Sequence, residues 1–300
     1  MRRVSHLLPL CVLLLVNGCK TSEDATAAAT QMTTTASALV DYYAALEKLM
    51  KKTDELNRLQ EAMLTIPYQQ PDRKQIADQA AEFEKREQMA EELTQLAGAF
   101  TSLASPAAAQ AATDSTTKLQ TELASIKQLT PATDEINAMT GAMQLLVSAI
   151  QQHKEREAAK AMAATLTGLD GFFLKEMRAN ESLDSQFVTL AGSLATNLVD
   201  QGQIDESSYV QDALGSFDLT ARVTDPGIKA RIDVLAKAHI AARGDAEKRR
   251  FARASTGMEQ ALAEMARRVN TVASDKAMKS RLAPPSLADV AKWTAEIPGK

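Results

Sequence analysis

The chain has 300 residues and a formal net charge of −4, and only 4% of its residues are aromatic. A chain of this length can bury a large core in one domain or two. Twelve aromatic side chains are few for a glycan-binding groove. Ala, Leu, Met, Glu, Gln and Lys are abundant, and these residues lose least free energy on entering a helix. The composition therefore favours an all-α protein.

The first residues have the pattern of a secretory signal. Arg2 and Arg3 precede an apolar stretch over residues 7–16. Ten helical residues span about 15 Å, whereas a hydrocarbon core is about 30 Å thick, so the stretch is too short to cross a membrane. A positive start, a short apolar stretch and small residues after it are typical of an export signal.

The signal ends in Val16-Asn17-Gly18-Cys19, which resembles the lipobox of bacterial lipoproteins. The resemblance implies that residues 1–18 are removed and that Cys19 carries the acyl chains, palmitate among them, that anchor the protein. Lys20 follows, which by resemblance to known sorting signals implies the outer membrane, facing the periplasm. Cys11 leaves with the signal, so Cys19 has no cysteine to pair with.

The mature chain divides into three predicted parts. Residues 19–30 are small and polar and are expected to form a tether. Residues 31–180 are predicted to form a long-helix bundle, and residues 181–300 a smaller helical part. We find no internal repeat.

The bundle is predicted to begin with a coiled-coil-like antiparallel hairpin, because apolar residues recur at 3-4 spacing and Pro67 and Pro71 separate two such segments. The seam of the first helix consists of Met32, Thr35, Leu39, Tyr42, Leu46, Leu49, Thr53, Leu56 and Met63. The second helix, over residues 72–103, is expected to turn Glu84, Lys85, Arg86, Glu87, Glu91 and Glu92 outward.

Three dipeptides are expected to start helices, because a capping side chain precedes a proline that lacks an N–H group: Ser105-Pro106, Thr130-Pro131 and Asp225-Pro226. The fourth helix is predicted to run from Ala132 through residues 153–157 and to kink or end at Gly168 and Gly171.

Shorter helices are expected over residues 184–220, with Gly202 as a left-handed C-cap. A long helix after Pro226 carries Ile228, Ile232, Leu235 and His239 at the spacing of a packing face, and His239 is interpreted as an interior or boundary residue. A last short helix is predicted to dock through Trp293. A first helix of about 50 Å does not fit a compact chain with a radius of gyration near 19 Å. The predicted fold is therefore an elongated all-α bundle.

The sequence offers no complete catalytic, metal or cofactor site. His153 and Glu157 lie one helical turn apart, but a metal site needs three or four ligands. We interpret His153 as a packing residue of the fourth helix. No nucleophile motif or phosphate-binding glycine loop is present, so we expect no enzymatic activity and no cofactor.

Charge is distributed unevenly. Residues 19–220 carry a net charge of −13 and residues 221–300 a net charge of +7. The basic residues concentrate in a set that we call the basic stripe: Arg243, Lys248, Arg249, Arg250, Arg253, Arg267 and Arg268. They either pack against the acidic helices or bind an acidic partner or envelope polymer. Nucleic acid is not an expected partner of an exported protein.

Two functions follow from these patterns. The favoured one is a lipid-anchored scaffold or interaction protein of the cell envelope without chemistry of its own. The alternative is a bundle that binds a small or apolar ligand, lined by the adaptable side chains of Met139, Met143, Met162 and Met177.

Overall fold

The computed structural model describes residues 8–63, 73–101, 106–125, 133–152, 154–204, 209–211, 223–274 and 287–297. Within these ranges the side chains of residues 8–26, 73–76, 99–101, 106–109, 133–138, 155 and 178–179 are outside the description. Within these ranges the chain contains helices and turns and no strand, which confirms the all-α class. The main helices are α1 (Leu8–Met63), α2 (Arg73–Thr101), α3 (Pro106–Ser125), α4 (Thr133–Gln151), α5 (Glu155–Asp200), α6 (Pro226–Ala273) and α7 (Leu287–Glu296).

The helices form a bundle around α1 and α5. Helix α1 packs against α2, α5, α6 and α7, and α5 packs against α4 and α6. Helix α3 packs against both α2 and α4. Helices α1, α5 and α6 have 56, 46 and 48 residues, or about 84, 69 and 72 Å. These lengths exceed the diameter of a compact chain of this size, as expected for an elongated bundle.

The predicted seam of α1 is buried as far as its middle. Met32, Thr35, Leu39, Tyr42, Leu46 and Leu49 are all at most 3% exposed. Beyond Met50 no residue of α1 is buried, and Leu56 and Met63 are half-buried. The apolar spacing of α1 thus continues beyond Met50, where its side chains are no longer buried.

The stretch expected to be a polar tether is helical in the structure. Helix α1 includes residues 19–30, and Ala28 and Ala29 are buried. Small side chains with high helix propensity fit this position, and the hydroxyl of Thr33 donates to the Ala29 carbonyl at 3.0 Å. Ala28 and Ala29, at the end of this segment, therefore belong to the core of the bundle.

The boundary between the fourth and fifth helices differs from the prediction. Helix α4 ends at Gln151, and the Lys154 N–H donates to the Ala149 carbonyl at 2.9 Å before α5 begins. Helix α5 then continues through Gly168 and Gly171, so no kink or end is required there. A Cβ atom at Gly168 would lie 2.7 Å from Met139 Sδ. Gly168 therefore allows the close approach of α4 and α5.

Two predicted caps are confirmed. The Asp225 carboxylate accepts from the Ile228 N–H at 2.8 Å, with Pro226 as the first helical residue. Gly202 has φ +64°, and the N–H groups of Gly202 and Gln203 donate to the carbonyls of Val199 and Leu198, which is a Schellman motif. Pro106 begins α3 as expected, while Ser105, Thr130 and Pro131 lie outside the described residues.

The first half of α6 is less buried than predicted. Ile228 and Leu235 are 46% and 55% exposed, and His239 is exposed with its ring 5.2 Å from that of Tyr209. The interpretation of His239 as an interior or boundary residue was wrong. Ring contacts, a hydrogen bond and an ion pair join residues 250–255 of α6 to α1 and α7, whereas in its first half His239 contacts Tyr209.

Candidate functional site

An aromatic cluster joins α1, α6 and α7. The ring of Tyr42 lies 5.4 Å from Trp293 and 6.3 Å from Phe251, and Phe251 lies 5.0 Å from Trp293. All three are at most 3% exposed. This burial confirms Trp293 as the residue that docks the last helix.

A buried polar cluster lies beside the aromatic one and joins α1, α2 and α5. The Tyr43 hydroxyl donates to Glu176 Oε2 at 2.9 Å, and Arg86 Nε donates to Glu176 Oε1 at 2.5 Å. Arg86 also donates to the Glu82 carbonyl at 2.7 Å. Arg86 and Glu176 are 4% and 1% exposed. Both carboxylate oxygens of Glu176 are thus occupied, which suits holding helices in register better than accepting a substrate proton.

The electrostatics of this cluster follow from burial. Burial raises the pKa of Glu176, while the hydrogen bond and charge of Arg86 and the hydrogen bond of Tyr43 act to lower it. Burial, with the neighbouring Glu176 charge, also raises the pKa of the Tyr43 phenol. The ion pair with Arg86 therefore offsets the free-energy cost of burying the Glu176 carboxylate in the bundle.

The polar cluster was missed by the sequence analysis. Arg86 and Glu92 were placed on the outer face of α2, but both are buried, and Glu92 pairs with Lys118 of α3 at 3.0 Å. A signal was present for Arg86, because it falls on the apolar stripe three residues after Phe83 and four before Ala90. A charged residue on such a stripe needs a buried partner, and sequence spacing does not name Glu176.

The basic stripe divides into paired and unpaired members. Arg250 pairs with Glu247 at 2.9 Å and with Glu296 at 2.7 Å, and both Arg267 and Arg268 pair with Glu264, at 2.7 and 2.8 Å. Lys248 is exposed and interacts electrostatically with Asp184. Arg243, Arg249 and Arg253 are exposed and make no ion pair within the described ranges. Acidic residues of the same chain therefore neutralise only part of the positive charge of the basic stripe.

The outward face of α6 also carries apolar side chains. Val234 is 65% exposed and Leu235 55% exposed, and Ala238, Ala241 and Ala242 are exposed one and two turns later. Arg249 and Arg253 continue this face, after a single acidic residue, Asp245. An exposed face with an apolar half followed by a basic half is typical of a protein-interaction surface.

An acidic stripe lies on α2, formed by Glu84, Glu87 and Glu91. None of the three makes an ion pair in the part of the chain that the structure describes. Burial and the charges of Glu47, Glu91 and Glu84 raise the pKa of Glu87, against the opposing charge of Lys48. Lys48 and Lys51 of α1 offset part of this negative charge through space, and no ion pair within the described ranges neutralises it.

The described residues line at least two surface grooves. One, of about 540 Å³, runs between α1 and α2 and is lined by charged residues and alanines, Glu47 and Glu84 among them. The other, of about 660 Å³, runs between Thr53–Gln60 of α1 and Ser182–Ser193 of α5. Neither is lined by Met139, Met143, Met162 or Met177, each of which is at most 3% exposed within the core. The methionines fill the bundle.

Two further observations concern metals and membranes. Among the described residues no group of three His, Cys, Asp or Glu side chains is placed to hold a metal ion, and His153 lies outside those residues. No described helix is long and apolar enough to cross a membrane.

No protein-family model, no curated protein and no solved structure matches the chain.

Proposed function

We propose that this protein is a lipid-anchored component of the cell envelope that acts as a helical scaffold or interaction protein, without catalytic activity. Lipid on Cys19 holds it at the outer membrane, facing the periplasm. The proposal rests on the lipobox-like residues 16–19 and on the long bundle that follows them. No cofactor enters this function.

The observation that carries the interaction role is the outward face of α6. Leu235 and Val234 are more than half exposed, and Arg249 and Arg253 extend from the same face without an ion pair in the described ranges. Exposed apolar side chains beside unpaired arginines favour a protein partner with an apolar and acidic surface, or an acidic envelope polymer.

A ligand-binding bundle is less well supported. That function needs an interior lined by adaptable side chains, and the four candidate methionines are packed against their neighbours. Gly168, for example, has no side chain, and Met139 fills the space beside it. A packed interior with an exposed outer face fits the scaffold better than an enclosed ligand site.

The anchor is tested by replacing the proposed acceptor of the lipid. We expect Cys19→Ala to move the protein from the membrane fraction to the soluble periplasmic fraction while its helical circular dichroism is unchanged. Cys11→Ala is the matched control, because residue 11 lies in the segment that cleavage removes, and we expect it to fractionate with the membrane. Wild-type protein found entirely in the soluble fraction would refute the anchor. A density gradient then separates inner from outer membrane.

A further inference from the structure

The acidic stripe of α2 and the basic residues of α6 lie on opposite sides of the bundle. Tyr42 of α1 contacts Phe251 of α6, whereas Glu47 of α1 lines a groove with Glu84 of α2. Successive helical residues are about 100° apart, so Tyr42 and Glu47 project about 140° apart around α1. Helix α5 occupies the space between, because Glu176 reaches both Tyr43 and Arg86.

The two charged surfaces also lie at the same height along the bundle. Helix α2 runs antiparallel to α1, across a nine-residue connection. Helix α6 is antiparallel to α5, since Lys237 pairs with Asp200 and Gly244 approaches Val188.

Helix α5 runs parallel to α1, because Tyr43 meets Glu176 and residues 53–60 lie across a groove from residues 182–193. Helices α2 and α6 are therefore parallel to each other. Glu84 lies level with Glu47 of α1. The segment from Glu84 to Glu91 therefore runs alongside about seven residues of α1, from Glu47 toward the α1 N-terminus. Arg249–Arg253 lies within the same span, beside Tyr42.

We propose that copies of this chain associate side by side, with Arg249 and Arg253 of one copy against Glu84, Glu87 and Glu91 of the next. This inference rests on the proposed lipid anchor, which holds the N-termini of neighbouring copies in one plane. Copies that face the same way then meet α6 face to α2 face by a lateral shift alone. Because the two surfaces differ, the contact is heterologous and repeats into a row.

The physical basis is charge complementarity between the arginines of α6 and the glutamates of α2. Neither set makes an ion pair within its own chain among the described residues. Arg249 and Arg253 are four residues apart, as are Glu87 and Glu91, and Glu84 lies three residues before Glu87, so neighbouring charges on each helix are about 5–6 Å apart. Matched spacing lets two or more charge pairs form at once. Anchoring in the membrane plane raises the effective concentration of the copies, so that individually weak ion pairs are enough for them to associate.

The contact is tested by crosslinking in intact cells with the full-length chain. Ala252→Cys and Gln88→Cys place thiols at exposed positions within the two stripes and leave every charge in place. With a short bismaleimide, the double variant is expected to give a ladder of dimers, trimers and larger species. Either single variant alone should give none. A matched control combines Ala252→Cys with Ala164→Cys, an exposed residue of α5, and should also give no ladder.

Charge exchange makes the test specific. Adding R249E and R253E to the double-cysteine chain should lower the ladder yield about tenfold, and adding E84K and E91K should do the same. Mixing these two chains in one cell should restore it, because each basic face again meets an acidic one. All four substitutions lie at exposed positions, and circular dichroism of each variant checks that the bundle is folded.

Two results would overturn the inference: a ladder that is unchanged by charge reversal, or crosslinks from Ala252→Cys only to a different protein. The same cells are fractionated, which keeps the two proposals apart. A charge-dependent ladder from protein in the soluble fraction supports self-association and refutes the anchor. Membrane-bound protein without a ladder leaves the anchor in place and refutes self-association.

Discussion

The two halves of the bundle are built from the same helices but packed very differently. The core half consists of residues 28–50 of α1, 80–97 of α2, 158–180 of α5 and 251–273 of α6, with α7. The open half consists of residues 51–63, 182–200 and 226–248. Eleven of the twelve buried residues of α6 lie in the core half. The helices therefore continue into an open half in which few of the described residues are buried. We expect the stability of the bundle to be concentrated in the core half.

The largest contrast is expected between the ion pairs of the two halves. Arg86→Met removes the partner of a buried carboxylate and should lower the free energy of unfolding by about 3–5 kcal/mol. Lys237→Ala breaks the more exposed pair with Asp200 in the open half and should cost less than about 1 kcal/mol. Denaturant unfolding followed by circular dichroism measures both.

The double variant Arg86→Met, Glu176→Gln controls for lost contacts, because the Gln carbonyl oxygen can still accept from the Tyr43 hydroxyl. It removes both charges, so it should recover most of the loss seen in Arg86→Met alone. If the single and double variants were equally unstable, the buried charge would not be the cause.

Apolar truncation should show the same asymmetry. Phe251→Ala leaves a cavity beside Tyr42 and Trp293 in the core half and should cost about 3–5 kcal/mol. Leu235→Ala, at a side chain 55% exposed in the open half, should change the free energy of unfolding by less than about 0.5 kcal/mol. A comparable loss for Leu235→Ala in the isolated protein would show that this face is covered after all.

The pH dependence of stability should have opposite signs at two carboxylates. Burial, with the charge of Glu247 and against that of Lys248, raises the pKa of Asp184 to about 6. Because the folded state then binds the proton more tightly than the unfolded state, this group lowers stability as the pH rises from about 4 to 6. Asp184→Asn should therefore stabilise the protein at pH 7 by about 1–3 kcal/mol. At pH 3 the effect should vanish.

Glu264 provides the opposite case. The hydrogen bond from Arg267, with that from Arg268, lowers the pKa of Glu264 to about 2. Glu264→Gln should destabilise the protein at pH 7 by about 1 kcal/mol. That loss should disappear as the pH falls toward 2, because the native carboxylate is then protonated as well. Thermal unfolding from pH 3 to 8 distinguishes the two variants, and equal slopes would contradict both assignments.

The smallest contrast concerns two glycines three residues apart in α5. Gly168→Ala overlaps Met139 and should cost about 1–3 kcal/mol. Gly171→Ala meets nothing within 4 Å and should add about 0.5–1 kcal/mol through its helix propensity. Melting temperatures compare the two directly. A loss at Gly171 would indicate that α5 is covered there.

How much could be predicted from the sequence differed with the kind of interaction. The α1 seam, the Asp225 cap and the Gly202 C-cap were predicted correctly, because apolar spacing and capping chemistry are local. The break at residues 152–154 was missed, and Gly168 was interpreted as a kink, because its role depends on Met139 of another helix. Sequence spacing does not record which helices meet.

The candidate surfaces show the same limit. The members of the basic stripe were identified from local charge, but which of them are free depends on partners such as Glu296, which lies 46 residues from Arg250. The exposure of Leu235 could not be predicted, since its spacing is that of a core residue. Tertiary contacts decide both questions.

The position of Trp293 gives the protein a built-in optical signal. It is the only tryptophan in the chain, and its ring lies 5.4 Å from Tyr42. Excitation energy absorbed by that tyrosine should pass to the indole while α7 is docked, and the buried indole should emit at short wavelength. Undocking of α7 would then appear as a red shift and a loss of energy transfer, without any added label and before the long helices unfold.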